Sequence, residues 1–314
     1  MGDLLVCSDV DLRPYTTLRA GGRAERLTVA RTSEELAEAC LRIAGPGEPL
    51  TVLGHGSNVL PSDVGVRGLT IVNRSSAIDV FSNGEVVADC GCSFQELFLK
   101  VAQAGLAGLE FAVGIPGTLG GALVSNAGAY RSNVADLVSE LEIVAEGERR
   151  WVGADWLQFS YRDSLLRRPD APRCALLRAR LRLTPESPVL IYARAREFQA
   201  RRILKQPAPA SAGSFFKNVY DLRLAQSLEK LPAPLKEVGV VPAGYLIEEA
   251  GMKGARYRGA MFSLKHGNFI LNVGRAAASD IRALAGLAKE AVRTRFEVLL
   301  EEEVLYIGDW SGFA

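Results

Sequence analysis

The sequence predicts an α+β fold built from several units, and three observations support this prediction. The chain has 314 residues, which is enough for two or three domains of ordinary size. Helices with clear start signals alternate with short apolar runs of strand length, and no internal repeat is visible. A segment rich in proline and small residues, 205–213, marks the strongest domain boundary.

The elements of the first 205 residues follow from capping and apolar patterns. Thr32 and Glu35 form a capping box for a first helix, which ends at the turn 45–47 and precedes a strand at 50–53. Ser93 and Glu96 form a second capping box, and this helix stops near Gly105. Further elements are predicted as strands at 69–72, 86–88, 141–144 and 174–183, and as a helix at 191–203.

Beyond the boundary, the pattern predicts a strand at 269–273, a helix capped by Ser279 and a last strand at 304–307. The helix carries an apolar stripe at helical spacing, formed by Ile281, Leu284, Ala285, Ala288, Val292 and Phe296. The predicted division is a first subdomain 1–70, a second 71–205 and a third α+β domain 206–303, with 304–314 returning to the first.

Composition excludes several functional classes. The formal charge of +1 gives no electrostatic basis for nucleic-acid binding. The arginine-dense runs, of which 194–202 is the longest, are interpreted as solvated faces. Five cysteines without a C-x-x-C pair indicate buried thiols in a reducing cytosol, and no metal site is expected. Without a leader-like N-terminus or a long apolar run, the protein is expected to be soluble and cytoplasmic, with no membrane partner.

Two glycine-rich loops are the most informative feature of the chain. Residues 114–121 read G-I-P-G-T-L-G-G, so the backbone can approach a ligand closely and its amides can converge on an anion. Residues 54–58 read G-H-G-S-N and follow a short strand, which offers a second set of amides. Each loop alone could be a tight turn, but together they favour a ligand with an extended diphosphate.

These loops, followed by N-A-G-A-Y at 126–130, resemble the bacterial UDP-N-acetylenolpyruvoylglucosamine reductases. The resemblance continues through Y-R-D-S at 161–164, A-G-S-F-F-K-N at 212–218 and E-E-E-V at 301–304, and it covers about residues 15–308 in the family's order. It implies the FAD-binding fold of the vanillyl-alcohol-oxidase-like (PCMH-type) flavoproteins: two α+β subdomains for FAD and a separate α+β domain for the substrate.

The resemblance also implies the reaction and its cofactors. FAD would be bound without a covalent link, NADPH would supply the hydride, and the substrate would be the nucleotide sugar UDP-N-acetylglucosamine enolpyruvate. The short spacing between Arg162 and Ser214 resembles the family's second subtype, which lacks an inserted tyrosine loop. A monomer or weak oligomer is expected. The expected FAD-binding residues are Gly54, Gly56, Ser57, Asn58, Gly114, Ile115, Pro116, Gly117, Thr118, Gly120, Gly121, Asn126, Ala127 and Gly128.

Three side chains are expected to be catalytic. Hydride addition to the enolpyruvyl group builds negative charge on its carboxylate, and a proton must then reach the α-carbon. The planar fork of Arg162 suits the carboxylate, and the resemblance places the proton-donating serine at Ser214. It places an acid at Glu303, although Glu302 replaces the proline of the family pattern, so that Glu301 is the next candidate.

Three further residues are expected to contact the nucleotide substrate, namely Lys217, Asn218 and His266. The sequence departs from the family pattern at Val219, where proline is usual, and at Gly267, where alanine is usual. Both changes concern the conformations open to the backbone and affect none of the expected roles. His55 is interpreted as a turn residue and not as an attachment point for flavin.

Two other functions remain open from the sequence. A flavin oxidase of the same fold that uses dioxygen would share the glycine loops, but would have no reason to keep the three catalytic side chains in these contexts. A non-catalytic nucleotide-binding module would purify without the yellow colour of a flavin.

Overall fold

The structure is a computed structural model that describes residues 4–45, 47–207 and 210–313. Its contacts divide the chain into two compact units. The first contains Met1–Asp11, Arg23–Gly56 and Val66–Leu204, and the second contains Leu12–Gly22, Ser57–Gly65 and Lys205–Ala314. The division after Leu204 lies at the start of the proline-rich segment, while the finer three-domain division stays a prediction. Pro46 of the predicted turn and 208–209 of the predicted boundary lie outside the described residues.

The secondary structure is mixed throughout, as the sequence predicts. The strands in chain order are β1 (Val6–Asp11), β2 (Arg23–Ala30), β3 (Leu50–Leu53), β4 (Val59–Pro61), β5 (Val66–Asn73), β6 (Ile78–Val80), β7 (Glu85–Asp89), β8 (Leu106–Ala107), β9 (Gly128–Ala129), β10 (Ser132–Asn133), β11 (Val138–Ala145), β12 (Glu148–Gly153), β13 (Cys174–Arg182), β14 (Thr184–Pro185), β15 (Val219–Tyr220), β16 (Val240–Val241), β17 (Arg256–Tyr257), β18 (Ala260–Phe262), β19 (Ile270–Asn272) and β20 (Leu305–Ile307). The α-helices are α1 (Ser33–Glu38), α2 (Phe94–Gln103), α3 (Leu119–Val124), α4 (Pro188–Lys205), α5 (Leu222–Ser227), α6 (Ala233–Glu237), α7 (Ala243–Glu249) and α8 (Ala278–Phe296).

Two sheets form the first unit. One has the order β1-β2-β5-β3, with β2 and β3 both parallel to β5, and the other is antiparallel with the order β12-β11-β13-β7-β6. Leu36 of α1, Ile71 of β5 and Leu177 of β13 belong to one buried cluster, so the two sheets share a core. β5 is buried along nearly its whole length, as expected for a parallel strand inside a sheet.

The two predicted helix starts in this unit are confirmed. The Thr32 hydroxyl accepts from the Glu35 amide at 3.1 Å, and the Ser93 hydroxyl accepts from the Glu96 amide at 3.4 Å. The Glu35 carboxylate accepts from the amide of Arg31 and not from that of Thr32, so the first capping box is displaced by one residue. After Glu38 the first helix widens into a π-helical turn that ends at Ile43.

The second unit combines helices with small sheets. β17, β18 and β19 form an antiparallel sheet, and β20 pairs in parallel with β4, so the last strand returns to a segment from the first seventy residues. The predicted stripe of α8 is buried at Ile281, Leu284, Ala285, Ala288 and Val292, with Phe296 partly buried against the same core.

The predicted cap of α8 by Ser279 is wrong. The cap position is Ala277, two residues earlier, and the first amides of the helix, those of Ala278 and Ser279, both donate to the Asp63 carboxylate at 2.8 Å. Asp280 bonds back to the amide of Ala277 at 3.0 Å. The carboxylate that receives the orphan amides therefore comes from a distant part of the chain, where no local pattern could reveal it.

Candidate active site

The two glycine-rich loops meet in the first unit. A methyl group built on Gly54 would lie 2.9 Å from Cγ2 of Thr118 and still closer to its Oγ1. Thr118 is buried and caps α3, because its hydroxyl accepts from the Gly121 amide at 3.2 Å. Gly54 is thus the residue that allows the loops to touch, at a position where any side chain would collide.

Most amides of the 114–121 loop are already bonded within the protein. The Leu119 amide donates to the carbonyl of Cys92 at 3.0 Å, and the Gly120 amide donates to that of Cys90 at 2.7 Å. In the described part of the chain, the amides of Gly117 and Thr118 donate to no protein group. Gly117 has φ +130°, a conformation that side chains rarely adopt. The loop therefore presents two adjacent donors where the sequence predicts anion binding.

The N-A-G-A-Y and Y-R-D-S segments also come together in this unit. The Arg162 guanidinium donates to the carbonyls of Asn126, at 3.2 Å, and Gly128. The Asn126 side chain is buried and donates to the carbonyl of Ser160 at 2.8 Å, while the buried Ser164 hydroxyl donates to the carbonyl of Val124 at 2.7 Å. The backbone is left-handed at Asn126 and at Arg162, so both turns are sharp. These bonds orient the guanidinium.

Sequence reasoning missed Arg202, which it placed on a solvated face. Arg202 is half-buried, donates to the carbonyl of Phe111 at 3.2 Å and lies over the ring of Tyr130, which stacks on Phe198 at 4.0 Å. Its Nε atom is buried and donates to no group of the described chain. Burial, and also the positive charge of Arg162, lowers the pKa of Arg202. The positive charges of Arg162 and Arg202 are therefore close enough to interact. The sequence signal that could have indicated a packed Arg202 is its i, i+4 spacing from Phe198 on the same helix.

The segments that carry Ser214 and Glu303 run beside each other in the second unit. The Glu303 amide donates to the carbonyl of Phe215 at 2.8 Å, and the Lys217 amide donates to that of Glu301 at 2.9 Å. These two bonds flank an antiparallel bridge in which the residue after Phe215 faces the residue before Glu303. Phe215 is fully buried, and Gly213 has φ +78° at the turn before Ser214. This register sets Glu303 opposite Phe215, the residue that follows Ser214 in the chain.

The predicted substrate contacts also lie in the second unit, where each has a protein partner. Lys217 pairs with the Glu301 carboxylate at 3.2 Å, and Asn218 accepts from the amide of Ala243, the first residue of α7, at 3.2 Å. Nδ1 of His266 accepts from the Asn268 amide at 3.2 Å, which assigns the proton of the neutral ring to Nε2. Burial lowers the pKa of His266, so this ring is neutral near pH 7.

The 54–58 loop contributes to both units. Its first residues belong to the first unit, where the carbonyl of Gly54 accepts from Arg74 at 2.7 Å. Asn58 belongs to the second, where its side chain donates to the carbonyl of Ala212 at 3.3 Å and its carbonyl accepts from the Leu305 amide at 3.0 Å. Burial, and also the charge of Arg74, lowers the pKa of His55.

Neither a cluster of metal-ligand side chains nor a membrane-spanning helix occurs within the described ranges 4–45, 47–207 and 210–313. These residues contain no group of three or more His, Cys, Asp or Glu that could hold a metal ion. Burial raises the pKa of Cys92 to about 12, and that of Cys90 also lies well above its usual value, so both thiols stay protonated. Among the same described residues, no helix has the length and apolar character needed to cross a bilayer.

Comparisons with known proteins agree with this arrangement. Residues 205–307 match the sequence model described as UDP-N-acetylenolpyruvoylglucosamine reductase, C-terminal domain, and residues 24–153 match the one described as FAD binding domain. The UDP-N-acetylenolpyruvoylglucosamine reductase of Rubrobacter xylanophilus is 40% identical over 302 residues, covering 96% of this chain and 95% of the relative. That of Caldicellulosiruptor saccharolyticus is 37% identical over 309 residues, covering 96% and 92%. The crystal structure of UDP-N-acetylenolpyruvylglucosamine reductase from Thermus caldophilus superposes with a TM-score of 0.76 at 33% identity, over 97% of this chain and 100% of that chain.

Proposed function

This chain belongs to the UDP-N-acetylenolpyruvoylglucosamine reductase family, and we propose that Ser214, Arg162 and Glu303 perform the chemistry of the family's reaction in it. The protein is an FAD-containing oxidoreductase with an α+β fold. It uses NADPH to reduce the enolpyruvyl group of UDP-N-acetylglucosamine enolpyruvate, and the product is UDP-N-acetylmuramate for peptidoglycan synthesis. Bound FAD supplies the hydride chemistry of this reaction.

The residues proposed to hold FAD are those of the glycine-rich loops and of the segment 126–128. Two observations support this fit. The amides of Gly117 and Thr118 are available to an anion in the described structure, as a diphosphate requires. The buried Nε of Arg202, close to Gly114, has no acceptor within the described chain, so an acceptor on the cofactor or the substrate would satisfy it.

Arg162 is proposed to hold the substrate carboxylate. Negative charge grows on that carboxylate as the double bond is reduced, and a guanidinium stays positive at any working pH. A planar fork restrained by two backbone carbonyls loses less freedom on binding than a mobile side chain, which supports this role.

Ser214 is proposed to donate the proton to the α-carbon, with Glu303 acting on the same developing charge. The observation that supports this pair best is the bond from the Glu303 amide to the carbonyl of Phe215, since it holds the two backbones in register. A serine is a weak acid, so it can serve only where a strongly basic carbon is presented to it. Ser214 itself is partly exposed, and the two phenylalanines that follow it are buried, which anchors its backbone to the core.

The same proposal includes the substrate contacts, the cellular location and the oligomeric state. Lys217, Asn218 and His266 are proposed to contact the nucleotide sugar, for which a cation, an amide and a neutral imidazole are suitable partners. We place the reaction in the cytoplasm, where NADPH and nucleotide sugars are available, and expect a monomer or weak oligomer.

The decisive experiment separates the two halves of the catalytic cycle in the Ser214→Ala variant. Under anaerobic conditions NADPH should bleach this variant at nearly the parental rate, because that step needs no proton donor at the substrate. Return of the yellow colour on adding the enolpyruvyl nucleotide should slow by more than roughly 10²- to 10⁴-fold, the usual loss for a general acid. If both rates fell equally, Ser214 would have a structural role; if dioxygen but not the nucleotide restored the colour of the parent, the protein would be an oxidase.

A further inference from the structure

Asn268 is a buried asparagine whose side chain and carbonyl both bond to the segment that follows Ser214. It is only 3% exposed. Its Oδ1 accepts from the Phe216 amide at 2.9 Å, and its Nδ2 donates to the Phe216 carbonyl at 2.8 Å. Its own carbonyl accepts from the Phe215 amide at 2.8 Å. One side chain thus satisfies both backbone groups of a buried residue, as a neighbouring strand would do.

The opposite side of the same segment faces residues 301–303, which precede β20. The carbonyl of Phe215 accepts from the Glu303 amide, and the Lys217 amide donates to the carbonyl of Glu301. Residues 215–217 therefore lie between Asn268 on one side and residues 301–303 on the other. Hydrogen bonds from both sides hold this segment in place.

Asn268 is itself held by short bonds from its own turn. Its amide donates to Nδ1 of His266 at 3.2 Å, and the amide of the intervening Gly267 donates to the Glu248 carboxylate at 2.9 Å. The turn that carries Asn268 is consequently anchored to α7.

We propose that Asn268 is a positioning residue, which fixes the Ser214 hydroxyl relative to Glu303 without touching the substrate. The inference rests on the proposed function of Ser214. A proton donor must lie within a few tenths of an ångström of its place, and an error of about 1 Å can cost about 10²-fold in rate. When its amide is removed, the Phe216 amide and carbonyl lose their partners in a dry environment, and the segment shifts to find new ones.

The test compares Asn268→Ala with the matched control Asn272→Ala. Asn272 lies on β19 of the same unit, and its side chain makes similar bonds, donating to the carbonyl of Leu18 at 2.8 Å and accepting from the Ala276 amide at 2.9 Å. Within the described chain, this side chain makes no hydrogen bond to residues 214–218. Each rate is measured on the FAD-loaded protein and normalised to bound flavin, so that a simple loss of folded protein cancels.

We expect Asn268→Ala to slow single-turnover reduction of the enolpyruvyl nucleotide by about 10²-fold, with bleaching by NADPH and nucleotide affinity each within about threefold of the parent. Asn272→Ala should change none of these quantities by more than about threefold. If Asn268→Ala does not fold, Asn268→Asp takes its place, since it keeps the shape and the acceptor but loses the Nδ2 donor. A normal rate of nucleotide reduction in the folded variant, or equal losses in both asparagine variants, would overturn the inference.

The double variant Ser214→Ala/Asn268→Ala separates this inference from the proposed function. If Asn268 acts through Ser214, the double variant should be no slower than Ser214→Ala alone by more than about threefold. Multiplicative losses would overturn the positioning role and leave Ser214 as the donor. A Ser214→Ala variant that reduces the nucleotide normally would overturn the proposed function and, with it, this inference.

Discussion

The contact between the two glycine-rich loops makes a stability prediction that can be worked from distances. In Gly54→Ala the new methyl would lie 2.9 Å from Cγ2 of Thr118 and 3.2 Å from its Cβ, both inside ordinary contact distance. Gly54 is not among the residues with positive φ, so the cost comes from the collision and not from the backbone. Overpacking costs about 1–3 kcal/mol, and displacing the capping hydroxyl adds about 1 kcal/mol, so we expect a total loss of about 2–4 kcal/mol.

Substituting Thr118 as well allows the interaction energy between residues 54 and 118 to be measured. Thr118→Ala removes the cap and a buried methyl group, which should cost about 1–2 kcal/mol. In the double variant Gly54→Ala/Thr118→Ala the methyl of residue 54 enters the vacated space. The double variant should therefore lose only about 1–2 kcal/mol, whereas additive effects would give about 3–6 kcal/mol.

The assay is urea unfolding of the protein freed of FAD, followed by far-ultraviolet circular dichroism, since bound cofactor would add its own stabilisation. Gly121→Ala is the control in the same loop, because its methyl would lie 3.6 Å from the Thr118 hydroxyl, an ordinary contact. It should be neutral or stabilising by up to about 1 kcal/mol. Additivity in the double variant, or a Gly54→Ala variant within about 0.5 kcal/mol of the parent, would refute the packing argument.

Three further outcomes are expected. Acid precipitation should release all of the yellow colour into the supernatant, and flavin retained on the pellet would contradict a non-covalent site. Arg162→Lys keeps the charge but loses the planar fork, so it should weaken substrate binding and slow substrate reduction together. Glu303→Gln should lower turnover with less effect on substrate affinity, and the losses should be non-additive in the double variant when measured by rapid-reaction kinetics. A fully active Glu303→Gln variant would move the acid to Glu301. Because burial lowers the pKa of His266 below its usual 6.5, its contribution to stability is present above that pH and is lost as the pH falls through the folded-state pKa. His266→Gln should therefore flatten the acid side of the stability profile, and an unchanged slope would show that this ring is not responsible.

Local signals in the sequence predicted much of the fold. The caps at Thr32 and Ser93, the buried stripe of α8 and the strand cores depend on residues within one or two turns of each other, so their pattern is readable without a structure. The glycine-rich loops are visible for the same reason, since a run of glycines is itself the local condition for close backbone approach.

The site was predicted as a set of residues but not as an arrangement. The sequence indicated Arg162, Ser214 and Glu303 through motif contexts, and their roles stay proposals. It did not indicate Arg202, because an arginine on a helix is typical of a solvated face unless the packing of its neighbours is known. Nor did it indicate Asn268, whose partner Phe216 is 52 residues away.

By itself, the sequence determined the α+β class, the positions of the main helices and strands, and the family whose motifs it carries in order. Only the tertiary structure decided that Asp63 caps α8 across 215 residues, that Gly54 touches Thr118, and that the segment after Ser214 pairs with the segment 301–303. The physical reason is that capping and periodicity are satisfied within one element. A hydrogen bond or a collision between distant segments depends instead on strand register and core packing, which many residues set together.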